Sequence, residues 1–225
     1  MKILCVGCSW TEETGTTGEE ETYPWLLRER FPRADVYNFG LRGANNVFIN
    51  MILRMALRDI QPDYTIRQVT GFARGMAAPE AIPLKFKQVA DRYWILDRAY
   101  YFHNIVFWTA ANISHIGWED VYSLKEKRAF FNNFIDGTHY EYKLRIDEGA
   151  LLLSNHLLKD CAHTTMFWKD DREKLLSQEL WHDAIAVETD IGFEHAIDEG
   201  AHFDRVGNTL VADMLQPRIE PYVYI

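Results

Sequence analysis

Ile3 to Val6 is an unbroken apolar run that closes on Gly7-Cys8-Ser9. A short run of this kind, ended by glycine, predicts a strand buried on both faces, as in a parallel sheet. Residues 10–22 carry Gly15, Gly18 and many Thr and Glu, and read as a loop. Thr22-Tyr23-Pro24 then opens a short helix, since Pro suits the first helical turn and Thr can cap it. Ala34 to Phe39 predicts a second strand, ended by Gly40. Between Ala44 and Ile60 the residues Val47, Phe48, Met51, Ile52, Met55 and Ala56 recur at helical spacing and predict an amphipathic helix. Gln61-Pro62-Asp63 stops it, and Tyr64 to Thr70 gives a third strand before Gly71.

Strand, helix, strand, helix, strand is the rhythm of a parallel α/β sheet. From about residue 80 to 160 apolar and charged positions interleave with little turn chemistry, which reads as mostly helical. Thr164 to Trp168 and Ile185 to Val187 supply further strands. In the tail, Val206, Leu210, Val211, Met214 and Leu215 share one helical face, with Asp204 as cap and Pro217 as terminator. The pattern predicts a three-layer α/β/α sandwich with a parallel, flavodoxin-like sheet. With no repeat, low-complexity tract or Pro/Gly/Ser linker, residues 1–225 read as one domain. A helical insertion, about 75–160, separates the third and fourth strands.

Composition narrows the function. A chain of 225 residues with 48 % apolar and 25 % charged residues is neither disordered nor fibrous. Its 24 Lys plus Arg against 33 Asp plus Glu give a net charge of −9, the wrong sign for a nucleic-acid partner. No apolar run reaches the roughly 18–20 residues of a membrane span, and the first apolar run is too short for a signal peptide. Three cysteines make no disulfide framework, so a cytoplasmic location is expected. Cys5-Val6-Gly7-Cys8 is a C-x-x-C, but Cys161 alone cannot complete a zinc site, and Cys5 sits inside a strand. Cys5 therefore reads as core and Cys8 as a small residue beside Ser9, with a Cys8 nucleophile as the minor alternative. The histidines show no paired-ligand spacing, so neither metal nor other cofactor is expected. Glu12, Glu13 and Glu19-Glu20-Glu21 read as a solvated acidic loop, and the aromatic run from Tyr93 to Trp108 as core.

Ligands of an open parallel sheet bind beyond the carboxyl ends of its strands. Four polar segments fall there: Gly7-Cys8-Ser9-Trp10-Thr11, Asn38 to Asn46 with Gly43 inside it, Val69 to Arg74, and Asp198 to Asn208 with His202. In this order they resemble the SGNH (GDSL-type) hydrolase family. Gly7-Cys8-Ser9 matches its Gly-Asp-Ser block with Cys8 for Asp; Gly43 matches its glycine block; His202 matches its Asp-x-x-His block with Glu199 for Asp. The family's third block places an Asn near Ala73, where this chain has no amide side chain and Arg74 follows the strand instead. The resemblance implies an SGNH-type fold and a divergent esterase or acylhydrolase. Its substrate would be an acyl or acetyl ester of a carbohydrate or other small molecule.

A serine hydroxyl needs a neighbouring base, and His202 is that base if the tail folds over the end of the first strand. Glu199, three residues earlier, can turn back to hold the imidazole, with Asp198 as its competitor. The N–H groups of Ser9 and Gly43 can face an oxyanion, and Thr70 or Arg74 can stand in for the absent amide. Arg74 and Asn45 are the candidate substrate-binding residues. Taken singly, Ser9 is compatible with a turn cap, His202 with a packed histidine, Glu199 with a solvated acid, and Arg74 with a structural ion pair. Two other functions compete. One is a non-catalytic binding protein on the same fold; the other is a flavodoxin-like nucleotide or phosphate binder, which the acidic loop disfavours.

Overall fold

The computed structural model of the chain describes residues 1–12, 21–71, 75–77, 82–108, 140–168, 172–187 and 202–223. The order begins β1 (Lys2–Gly7), α1 (Tyr23–Arg30), β2 (Asp35–Gly40), α2 (Asn46–Asp59) and β3 (Tyr64–Val69), as the hydropathy pattern predicts. β4 (Gly75–Ala77), β5 (Phe86–Ala90), β6 (Tyr93–Leu96), α3 (Arg98–Asn104), β7 (Val106–Trp108) and α4 (Tyr140–Leu158) follow. β8 (His163–Phe167), β9 (Ile185–Ala186) and α5 (Arg205–Val223) complete the fold.

Among the described residues, seven strands form one sheet in the order β5-β6-β2-β1-β3-β8-β9. All neighbours are parallel except β5 and β6. β4 and β7 form a separate antiparallel pair. Successive residues of β1 serve opposite faces, which makes the sheet the middle of three layers. Ile3 and Cys5 pack with Tyr23, Leu26 and Leu27 of α1 and with Val211, Leu215 and Ile219 of α5. Leu4 and Val6 pack with Phe48, Ile49, Ile52 and Leu53 of α2. α4 lies beside α2, and its Leu144 and Leu151 close a third cluster with Val69, Phe167 and Trp181. Because β2 and β3 flank β1 on opposite sides, the chain reverses its winding there, and a crevice opens at the carboxyl end of β1.

Three elements differ from the sequence pattern. The insertion holds helices α3 and α4, but also the hairpin β5–β6, which extends the main sheet and makes it mixed. Its exposed β5, which carries no apolar alternation, hid the strand period, and its two-residue turn, Asp91-Arg92, lacks the usual Asn-Gly. Arg92 accepts a φ of 54°, and its guanidinium donates to Pro32 O at 2.6 Å. The second difference is α5, which runs through Pro217 and Pro221 to Val223. Leu215 and Ile219 on either side of Pro217 are both fully buried, and that packing outweighs a proline cost of about 3 kcal/mol. Asp204 does cap α5, its Oδ1 accepting Gly207 N–H at 2.8 Å. Thr22 stands at the N-cap position of α1 without a side-chain cap bond. The Tyr23 N–H goes instead to Asn208 Oδ1 of α5, at 3.1 Å.

Candidate functional site

The turn after β1 is built by close approach and hydrogen bonds. Cys8 O accepts Thr11 N–H and Glu12 N–H, both at 3.0 Å, which folds the chain back directly after Ser9. Gln68 of β3 grips that turn: its Oε1 accepts Cys8 N–H at 3.1 Å and the Thr11 hydroxyl at 2.7 Å. A side chain at Gly7 would put its Cβ 2.1 Å from Thr11 Oγ1, and one at Gly40 would put it 2.2 Å from Glu12 N. Both glycines are therefore required by contact distance, the first within the turn and the second where β2 passes it.

His202 meets this turn from the other end of the chain. Its Nε2 lies 2.9 Å from Ser9 Oγ, across 193 residues of sequence. Both side chains are half-buried, so the pair is held by the fold yet reachable from solvent. Asn208 fixes the histidine segment, its Nδ2 donating to Phe203 O and to Asp204 O at 3.1 Å each. Trp10 stacks on Trp168 with ring centroids 4.5 Å apart, and Trp168 packs on Phe203 at 4.6 Å. Ser9, Trp10, Glu12, Trp168, His202 and Phe203 line one cavity.

The loop after β2 closes the opposite side. Leu41 N–H donates to Gly7 O at 3.1 Å, and Gly43 adopts a φ of 79° before α2 begins. Asn45, expected at the substrate, is 3 % exposed and caps α2 through Phe48 N–H at 2.8 Å. Glu12 also departs from expectation: it is no solvated loop acid but 2 % exposed. Its carboxylate accepts the backbone N–H of Arg42 and pairs with Arg98 of α3 at 3.2 Å. A buried carboxylate needs such partners, and here they tie the serine turn to the Gly43 loop and to the insertion. Cys8 is buried with Sγ 4.0 Å from Ser9 Oγ, and burial pushes the thiol pKa of Cys5 up.

Thr70 stands where β3 leaves the sheet. β3 pairs with β1 up to Val6 and Arg67, three residues before Thr70. Its N–H donates to Asn46 Oδ1 at 3.1 Å, and its C=O accepts Asn46 Nδ2 at 3.3 Å, so the backbone is clamped by α2. The hydroxyl, by contrast, is buried with no hydrogen-bond partner among the described residues. Glu199, Asp198, Arg74, Glu13 and Glu19-Glu20 lie outside the described residues. Among the described residues, no group of three His, Cys, Asp or Glu side chains gathers to hold a metal ion, and no helix is long and apolar enough to cross a membrane.

Gln68, Asn208, Trp168 and the burial of Glu12 were not foreseen. Gln68 carried a usable signal, since Arg67-Gln68 puts two long polar side chains in a buried strand near its carboxyl end. Arg67 itself belongs to the core, where it donates to Asn155 Oδ1 and Thr165 Oγ1 at 2.7 Å each. Burial pulls its pKa down to about 9.

No protein-family model matches the sequence. No curated protein matches it either. The fold does have solved counterparts. TesA superposes with a TM-score of 0.52 at 9 % identity, over 99 % of each chain. The psychrotrophic esterase EstA from Pseudoalteromonas sp., solved inhibited by monoethylphosphonate, gives 0.52 at 11 %, over 100 % of this chain and 99 % of that one. A protein assigned to the G-D-S-L lipolytic family from Desulfitobacterium hafniense DCB-2 gives 0.50 at 9 %, over 96 % and 98 %. The described residues thus share the α/β fold of these SGNH-type structures.

Proposed function

We propose that the protein is a serine ester hydrolase with Ser9 as nucleophile and His202 as general base. The observation that carries this reading is the 2.9 Å contact between His202 Nε2 and Ser9 Oγ at the carboxyl edge of the sheet. A hydroxyl at that distance from a neutral imidazole gives up its proton as the oxygen attacks a carbonyl carbon. His202 then delivers the proton to the departing alkoxide, and a water repeats the sequence to release the acid and regenerate Ser9. Glu199 is the proposed carboxylate behind His202, holding the ring and stabilising its cation. Arg74, following the third strand, is the proposed contact for polar substrate groups.

The oxyanion would meet the N–H groups of Ser9 and Gly43. The third donor in this reading is the Thr70 hydroxyl, because the Thr70 N–H is already bonded to Asn46. A buried hydroxyl with no partner among the described residues can donate when charge develops on a substrate. That assignment fills the place of the amide absent near Ala73. The substrate in this reading is an acyl or acetyl ester of a small molecule or carbohydrate. The fold it shares with an esterase inhibited by a phosphonate supports the same chemistry.

The test is reaction with an alkyl fluorophosphonate, mapped by peptide mass, together with hydrolysis of p-nitrophenyl acetate. The expected adduct is on Ser9, and Ser9→Ala and His202→Ala should each lower turnover by at least about 10³-fold. Labelling that persists in folded Ser9→Ala, or a folded wild type that neither labels nor turns over ester, would overturn the reading.

A further inference from the structure

We propose that Trp168 is the positioning residue that holds Ser9 and His202 at hydrogen-bonding distance. The proposal rests on the reading of those two residues as the catalytic pair. Each of them is followed in sequence by an aromatic residue, Trp10 after Ser9 and Phe203 after His202. Trp168 packs against both: its ring is 4.5 Å from Trp10 with planes 13° apart, and 4.6 Å from Phe203. The serine turn leaves β1 and the histidine precedes α5, so these rings join two segments 193 residues apart.

Trp168 is anchored independently of either segment. It follows Phe167, the last residue of β8, directly, and is only 1 % exposed. A ring fixed to the sheet sets how closely its two neighbours approach, because stacked rings resist compression and hold a defined separation. Phe203 is seated from behind by Gly207, where a Cβ would stand 2.6 Å from the Phe203 ring. Trp10 is half-buried and lines the cavity that also holds Ser9 and His202. A shift of the stack therefore moves Ser9 against His202.

The indole N–H of Trp168, although buried, has no hydrogen-bond partner among the described residues. Its place in the fold thus rests on the ring and not on a polar contact. This makes Trp168→Phe a clean conservative variant: it keeps an aromatic face and removes no bond. Trp168→Leu keeps an apolar side chain but removes the stack.

The experiment uses the full chain and compares three readouts: fluorophosphonate labelling rate, kcat and KM for p-nitrophenyl acetate, and the ring nitrogen NMR signals of His202. Trp168→Leu should lose about 10²-fold in labelling rate and kcat with KM nearly unchanged, as expected when reacting atoms are displaced by about 1 Å. Its His202 signals should move toward those of Ser9→Ala, and Trp168→Phe should recover most of the loss. A folded Trp168→Leu with wild-type kcat and His202 signals overturns the proposal, as does a Trp168→Phe no better than Trp168→Leu. Should Trp168→Leu fail to fold, Trp10→Leu breaks the stack from a half-buried position. Retention of wild-type kcat and His202 signals in that variant overturns the proposal, and a kcat-type loss supports it. If the wild type proves inert to probe and ester, the hydrolase reading falls by itself. The His202 signals then decide the positioning role, unchanged signals in a folded variant overturning it.

Discussion

Around Ser9 the chain is fixed by directional bonds and backbone contact: Gln68 accepts from Cys8 and Thr11, Glu12 accepts from Arg42, and β2 passes close enough to require glycine. Around His202 the fixing is by rings: Trp168 and Phe203 set the position, with Asn208 pinning the backbone behind them. The two sides have different tasks in the proposed reaction. The serine turn must aim a backbone N–H as well as an oxygen, and only hydrogen bonds and peptide contacts fix direction that tightly. The imidazole must keep a distance, which ring packing supplies without consuming its nitrogens. Damage to the serine side should therefore cost stability and reactivity together, whereas damage to the histidine side should separate them.

The largest effect is expected from Gly40→Ala. Its Cβ would stand 2.2 Å from Glu12 N and 2.6 Å from Thr11 C, both backbone atoms that no side-chain rotation can relieve. β2 and the serine turn must part, at a cost of about 3 kcal/mol. Urea unfolding should show a lower midpoint with an unchanged slope, and fluorophosphonate labelling should fall in the molecules that stay folded. Wild-type stability would mean that the turn is loose and the directional side of the comparison is wrong.

Gln68→Leu should come next. It deprives the buried Cys8 N–H of its acceptor and leaves the Thr11 hydroxyl with Tyr23 alone, at 3.1 Å. Orphaning a buried donor costs about 2 kcal/mol, and the released turn should lose labelling rate as well. Thermal unfolding and labelling measured on the same variant check whether the two losses go together. A stability loss with full labelling would restrict Gln68 to the core.

How much of this was legible beforehand follows from where each residue finds its partners. β1, β2, α2 and the Asp204 cap announce themselves because period, glycine and capping chemistry lie within a few residues. The blocks that hold Ser9, Gly43 and His202 are legible for the same reason, each a short polar stretch beside an element. Glu12 was misread because the partners that bury it lie 30 and 86 residues away, at Arg42 and Arg98. The hydropathy pattern places Trp168 in a strand, but nothing local says that its ring meets Trp10 and Phe203. The β5–β6 hairpin was missed because its outer strand faces water and carries no apolar alternation.

Gly207→Ala should give the smallest change in stability and the most informative one. Gly207 lies in the first turn of α5, where alanine is the better helix former by about 1 kcal/mol. Against that gain, the new Cβ would stand 2.6 Å from Phe203 Cγ and 2.8 Å from Phe203 Cβ, a crowding that costs about 1–3 kcal/mol. The net is a loss near 1 kcal/mol, half or less of that expected on the serine side. The displaced group, however, is the residue next to His202, and it is pushed by its Cβ as well as its ring. Moving Phe203 carries the imidazole away from Ser9 Oγ, so kcat for p-nitrophenyl acetate should fall about tenfold with KM little changed. Proportionate losses in stability and kcat, matching those of Gly40→Ala and Gln68→Leu, would show that both sides are held by one common scaffold and would dissolve the distinction.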